Sequence, residues 1–220
     1  MHEQTLLFVG PPSSGKGTQS ELVAQELAMP RIDVGALLRE RARTDDATAH
    51  TIQTVMEAGK TLDDDTIRPI AEPAFITAAA GGRGLIIDGY CRTVEQVDHI
   101  TDLVRAHQLP PLTVIHITVN EAEATLRMQH RRYCSGCNAQ QYLVTNTDDA
   151  VACVRCGGHL VRRNDDSVEV FTKRIATFNT VTKPAIAYLS KKFPVITING
   201  EHSIAVVHSM IMHALHDGAH

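Results

Sequence analysis

Gly10-Pro11-Pro12-Ser13-Ser14-Gly15-Lys16 spaces its glycines and lysine as G-x-x-x-x-G-K, a pattern suited to holding phosphate. Successive backbone N–H groups ahead of a helix make a concave anion site, and the lysine adds a point charge at the β- and γ-phosphates. A chance glycine turn with an exposed lysine is the bland alternative. Context disfavours it, because an apolar run over residues 5–9 precedes the pattern and helical spacing through Leu22, Val23 and Leu27 follows it. Two Cys-x-x-Cys pairs, Cys134/Cys137 and Cys153/Cys156, form a second constellation. Their spacing is that of a closed four-thiolate zinc knuckle, in which the metal has no open position and is structural. Redox disulfides are the alternative, although a thioredoxin-like pair belongs at a βα turn and not duplicated in a β-rich insert. Cys91 is left over, and His159 lies near the knuckle, where four thiolates already fill the site.

The elements that must position these groups read as α/β. Besides the strand at 5–9, apolar strands are expected at 85–87, 112–119 and 195–198, separated by helix-length stretches. That alternation predicts a parallel sheet with helices on both faces. Residues 33–62 are helical in pattern with no strand of their own, so they are expected to stand off the sheet as an insert. A second insert, 127–166, is polar and β-like in its middle. The P-loop core is then 1–32, 63–126 and 167–220. Arg127 and Arg131 follow Glu121-Ala122-Glu123-Ala124 on what reads as one helix, where residues four apart share a face. A helix is expected from 168 to 191, bent or interrupted at Pro184, and a last one from 203 to about 215.

Composition excludes more than it assigns. The 220 residues are 43% apolar and 21% charged, ordinary for a folded globular chain long enough to bury a core. A net charge of −4 gives no basic field, so nucleic acid is not an expected partner and any phosphate ligand must be met by a local arginine cluster. No apolar run approaches the length that crosses a bilayer, and the N-terminal residues show no leader pattern, so a cytoplasmic location is expected.

From Gly15-Lys16-Gly17-Thr18 onward the chain resembles the adenylate kinase family of nucleoside monophosphate kinases. Asp33-Val34-Gly35-Ala36-Leu37-Leu38-Arg39 is similar to the family segment Ser-Thr-Gly-Asp-x-Leu-Arg, and Asp88-Gly89-Tyr90-Cys91-Arg92-Thr93 to its Asp-Gly-Phe-Pro-Arg-Thr. The resemblance implies reversible transfer of the ATP γ-phosphoryl group to AMP, giving ADP, with magnesium accompanying ATP. It also implies that Ser13, Ser14, Gly15, Lys16, Gly17, Thr18, Arg127 and Gly200 hold ATP. Val34, Arg39, Lys60, Thr61, Leu62, Gly89, Tyr90, Cys91, Arg92 and Gln96 would meet AMP, together with Arg163 and Arg174. Lys16, Asp88, Arg92, Arg131, Arg163 and Arg174 would be catalytic, with Asp88 organising the hydrated magnesium. The cysteine knuckle resembles the long lid of certain bacterial members, and a monomer is implied.

The chemistry explains the arginines. Bringing ATP and AMP together joins two polyanions and spreads charge over the γ-phosphoryl oxygens in flight, so positioning and cationic stabilisation carry the catalysis. The acceptor is already an ionised phosphate, and no general base is assigned. Val34 stands where threonine is common and Ala36 where aspartate is usual, which keeps a UMP- or CMP-type kinase as the alternative. A catalytically weak nucleotide-binding paralogue is the other.

Overall fold

The computed structural model describes residues 4–80, 82, 84–137, 139–143, 151–162 and 167–217. Strand β1 (Thr5–Val9) leads through the glycine loop into helix α1 (Lys16–Leu27). Strand β2 (Arg31–Asp33) runs directly into α2 (Val34–Arg41), followed by α3 (Ala47–Glu57), α4 (Asp64–Ala79) and strand β3 (Ile86–Asp88). Then come α5 (Val94–Ala106), β4 (Leu112–Thr118), α6 (Glu121–His130) and three short strands, β5 (Arg131–Cys134), β6 (Gln140–Tyr142) and β7 (Leu160–Val161). Helix α7 (Val168–Thr177), a π-helical turn (Phe178–Thr182), α8 (Lys183–Leu189), β8 (Val195–Asn199) and α9 (Ile204–Asp217) close the described chain.

The main sheet is parallel, in the order β2-β3-β1-β4-β8. Alternate residues of β1 serve opposite faces, as a period of two requires. Leu7 and Val9 pack with Phe75, Ile100 and Leu103, while Leu6 and Phe8 pack with Val23, Val207 and Ile211. Every strand residue of β1 is buried, which is why the strand reads as a continuous apolar run. Polar caps set the helix starts: Asp33, Asp46, Asp63 and Thr93 each accept the N–H three residues on. Asp63, the first of three consecutive aspartates, starts α4 in this way.

Three expectations need correction. Arg31–Asp33 forms an edge strand where none was expected, pairing Asp33 beside Asp88 in register. Helix α6 ends at His130, so Arg127 and Arg131 do not share one helix face; Arg131 already has extended backbone and opens β5. The 168–191 helix is divided by the π-helical turn, with Pro184 in the first turn of α8, where its missing N–H costs nothing. A separate small core of Ala124, Met128, Phe171 and Ile175 joins α6 to α7. It fixes the two helices that flank the small antiparallel sheet β6-β5-β7.

Candidate active site

The glycine loop is shaped by backbone conformations that few side chains tolerate. A Cβ on Gly10, at φ 150°, would sit 2.3 Å from the Ile117 carbonyl oxygen, so only glycine fits between β1 and β4. Ser13 adopts φ 60° and Gly15 φ 94°. Ser13 thus holds a left-handed conformation that glycine reaches more easily. Gly15 precedes α1 without any side-chain cap, leaving the first N–H groups of that helix to be satisfied by a ligand. The hydroxyls of Ser13 and Ser14 are buried and have no hydrogen-bond partner among the described residues.

Lys16 folds back over this loop, its Nζ donating to the Pro11 carbonyl at 3.1 Å. Loss of solvation pushes its pKa down to about 8, with Asp88 opposing the shift and the positive charges of Arg92, Arg174 and Arg131 adding to it. Those three guanidinium groups thus lie near enough for their charge to act on the ammonium. All of them line one cleft of about 910 Å³, together with Ser13, Gly15, Gly17, Thr18, Val34, Arg39, Lys60, Thr61, Leu62, Asp88, Gly89 and Tyr90. The family resemblance implies a triphosphate held by this lysine in its charged form. ATP affinity is accordingly expected to be level below about pH 8 and to weaken above it by up to about tenfold per pH unit. Direct ATP titrations from pH 7 to 10 would check this.

Asp88 ends β3 at the floor of the cleft, and its Oδ2 accepts from Arg31 Nη2 at 2.7 Å and from Ser20 Oγ at 3.1 Å. Burial pushes its carboxyl pKa up, and so does Asp33, while Arg31 and Lys16 pull it down. Arg31 also reaches Asp33 at 3.3 Å. Sequence reasoning missed Arg31 entirely. The signal was pairwise, since strand register sets Asp33 beside Asp88, and two adjacent carboxylates in a desolvated site call for a cation.

At the carboxyl end of β3 the turn after Asp88 folds onto itself. Arg92 donates its backbone N–H to Gln96 Oε1 at 2.9 Å and its Nε to the Gly89 carbonyl at 3.1 Å. Cys91 and Gln96 are buried and are not among the residues that line the cleft; the Gln96 amide nitrogen has no hydrogen-bond partner among the described residues. Desolvation raises the Cys91 thiol pKa well above its ordinary value, so the residue is a packed thiol and not a reactive one. Gly59, at φ 69°, brings its turn against α7, where an added Cβ would meet the Val170 carbonyl oxygen at 2.9 Å and Arg174 Cγ at 3.2 Å. Lys60, Thr61 and Leu62 follow this turn and line the cleft together with Arg174. Arg39 Nη2 lies 4.0 Å from Asp33 Oδ1.

On the opposite side Arg127 donates to the carbonyls of Gly200 at 2.7 Å and Ser14 at 3.5 Å, with Nε on Glu123 at 2.7 Å. Arg127, Ser14 and Gly200 therefore meet beside the glycine loop, outside the residues that line the cleft. A Cβ on Gly200 would sit 2.8 Å from the Ser14 carbonyl oxygen, which explains glycine there. Arg163 lies outside the described residues; its neighbour Arg162 lines the cleft, as do Tyr133 and Tyr142.

The four cysteine sulfurs converge within 4.8 Å of one another. Cys134 Sγ lies 3.3 Å from Cys156 Sγ, and Cys137 Sγ 3.7 Å from Cys153 Sγ. Tetrahedral thiolates at about 2.3 Å from zinc stand about 3.8 Å apart, so the cluster fits that ion. The N–H groups of Gly136 and Cys137 point at Cys134 Sγ at 3.3 and 3.4 Å, as outer partners of a metal-bound thiolate do. A Cβ on Gly158 would fall 2.9 Å from Cys134 Sγ, so the turn is cut close to the sulfurs.

Comparison with known proteins agrees with this geometry. The family model described as adenylate kinase matches residues 8–193. The adenylate kinase of Desulfitobacterium hafniense (strain DSM 10664 / DCB-2) is 32% identical over 214 residues, covering 96% of this chain and 98% of the relative. That of Thermoanaerobacter sp. (strain X514) is 30% identical with the same coverage, and that of Methanocella arvoryzae 31% identical over 91% of this chain and 93% of its own.

Proposed function

The chain belongs to the adenylate kinase family, and on that premise we propose how its cleft moves the ATP γ-phosphoryl group onto AMP. The carrying observation is the convergence of Lys16 with Arg92, Arg131 and Arg174 around one cavity. In this reading the α1 N-terminus and Lys16 hold the donor phosphates, with Arg127 and Gly200 near the donor base. Arg39, Arg92 and the 60–62 turn hold the acceptor. Arg131 and Arg174 stand between the two phosphate sites, where charge builds up in the transition state.

Asp88 and its neighbour Asp33 offer hard oxygen atoms beside Gly17, where a hydrated magnesium ion carried by ATP fits. Magnesium would supply neutralising charge on the phosphates; Asp88 would orient its water shell. Residues 33–62 and 127–166 serve as the acceptor-binding insert and the lid, closing over the cleft so that the phosphoryl group meets AMP and not water. Among the described residues no helix is long and apolar enough to cross a membrane, and we take the enzyme to be a cytoplasmic monomer.

We further assign a structural zinc ion to Cys134, Cys137, Cys153 and Cys156. Its removal by a chelator is expected to lower the melting temperature by about 5–10 °C, with one zinc per chain recovered by metal analysis of the untreated protein. Acceptor choice is tested by an ADP-coupled assay with ATP and each of AMP, UMP, CMP and GMP. AMP is expected to be fastest. A preference for UMP or CMP would return the alternative raised by Val34 and Ala36, both of which sit at the acceptor end.

A further inference from the structure

The acceptor-side turn carries an inference of its own, which rests on the reading of that turn as the AMP phosphate site. Cys91 stands where the family resemblance puts proline, yet its φ is 57°, a left-handed value that proline's ring forbids. Gly89 is left-handed too, at φ 80°. A non-glycine residue in this region persists only where its surroundings over-determine it. With proline's own constraint absent, the restraint has to come from neighbours.

Tyr90 lies between these two residues and sends its ring into the core, 2% exposed and edge-on to Phe75 with centroids 5.2 Å apart. Its hydroxyl is 2.6 Å from His99 Nδ1 on α5, and His99 Nε2 is 3.2 Å from Glu72 Oε2 on α4. His99 is 4% exposed and the Glu72 side chain 37%, so the chain of three runs from the cleft wall through the core to solvent. A neutral imidazole has one donor and one acceptor nitrogen. With Nε2 donating to Glu72 Oε2, Nδ1 is left to accept from the Tyr90 hydroxyl. The chain therefore has a defined direction. Arg92 is tied to the same turn at both its backbone N–H and its Nε, so whatever holds Tyr90 also holds Arg92 and Gln96.

We propose that the Tyr90–His99–Glu72 chain is a positioning device that replaces the absent proline and aims Arg92 at the acceptor phosphate. None of the three transfers a proton in the reaction. Their role is to keep the turn in one conformation.

The test varies AMP and ATP separately in the parent, His99→Gln and Tyr90→Phe enzymes. Tyr90→Phe keeps the ring and its packing and installs the residue common in the family. Both variants are expected to raise KM for AMP about fivefold, the size of one buried hydrogen bond, with KM for ATP within twofold of the parent. The double variant should be no worse than the worse single, because both break the same chain. An unmoved KM for AMP in both variants overturns the proposal, as does a parallel rise in both KM values, which would mean general loss of packing. A parent that ignores AMP would sink the reading of the turn and this inference together. A parent that uses AMP beside variants that match it would sink the positioning role alone.

Discussion

Replacing Lys16 by alanine is expected to lower kcat/KM for ADP formation from ATP and AMP by about 10³-fold, while the folded state survives. The ammonium sits among Arg92, Arg131 and Arg174, and its pKa is held down to about 8 chiefly by loss of solvation. That cost is repaid only when phosphate arrives. The sign follows from the shift: a lysine whose folded pKa lies below its unfolded value weakens the fold at neutral pH, and the penalty fades as pH rises towards the unfolded value. The variant's melting temperature should therefore equal or exceed the parent's, a separation of activity from stability that differential scanning calorimetry and a coupled assay on one preparation would reveal. A variant that lost activity only by unfolding would contradict it.

Arg92→Ala carries the second large effect, a loss of about 10³-fold or more in kcat/KM for AMP. Arg92 lines the same cleft as Lys16, and it is tied to the turn by its own backbone and side chain. A guanidinium with two hydrogen-bond directions cannot be replaced by a point charge, so Arg92→Lys is expected to recover only a small part. Varying AMP at saturating ATP would show it. Turnover within tenfold of the parent for both Lys16→Ala and Arg92→Ala would remove the ring of cations from the mechanism.

Much of this was legible in the sequence because its signals are local. The glycine loop announces itself through spacing and its place between an apolar run and a helix, and the cysteine pairs through spacing alone. What stayed hidden depends on pairing across the fold. Arg31–Asp33 has one apolar residue in three and becomes a strand only by lying along Ile86–Asp88. The same register makes Arg31 necessary. Helix α6 carries no glycine or proline to stop it, yet it ends at His130 because Arg131–Tyr133 pair with 140–142. The conformation of Cys91 had no marker either, since no glycine or asparagine sits there to advertise a positive φ. The role of the Tyr90–His99 contact depended on that turn and was hidden with it.

The mechanism requires that one cleft bring two nucleotides together and exclude water while the phosphoryl group moves. Its most direct test is the product balance when purified protein is given ATP, AMP and magnesium. Two ADP are expected for each ATP consumed and no inorganic phosphate above background, with ATP left intact when AMP is omitted. One ADP and one inorganic phosphate per ATP, whether or not AMP is present, would contradict it.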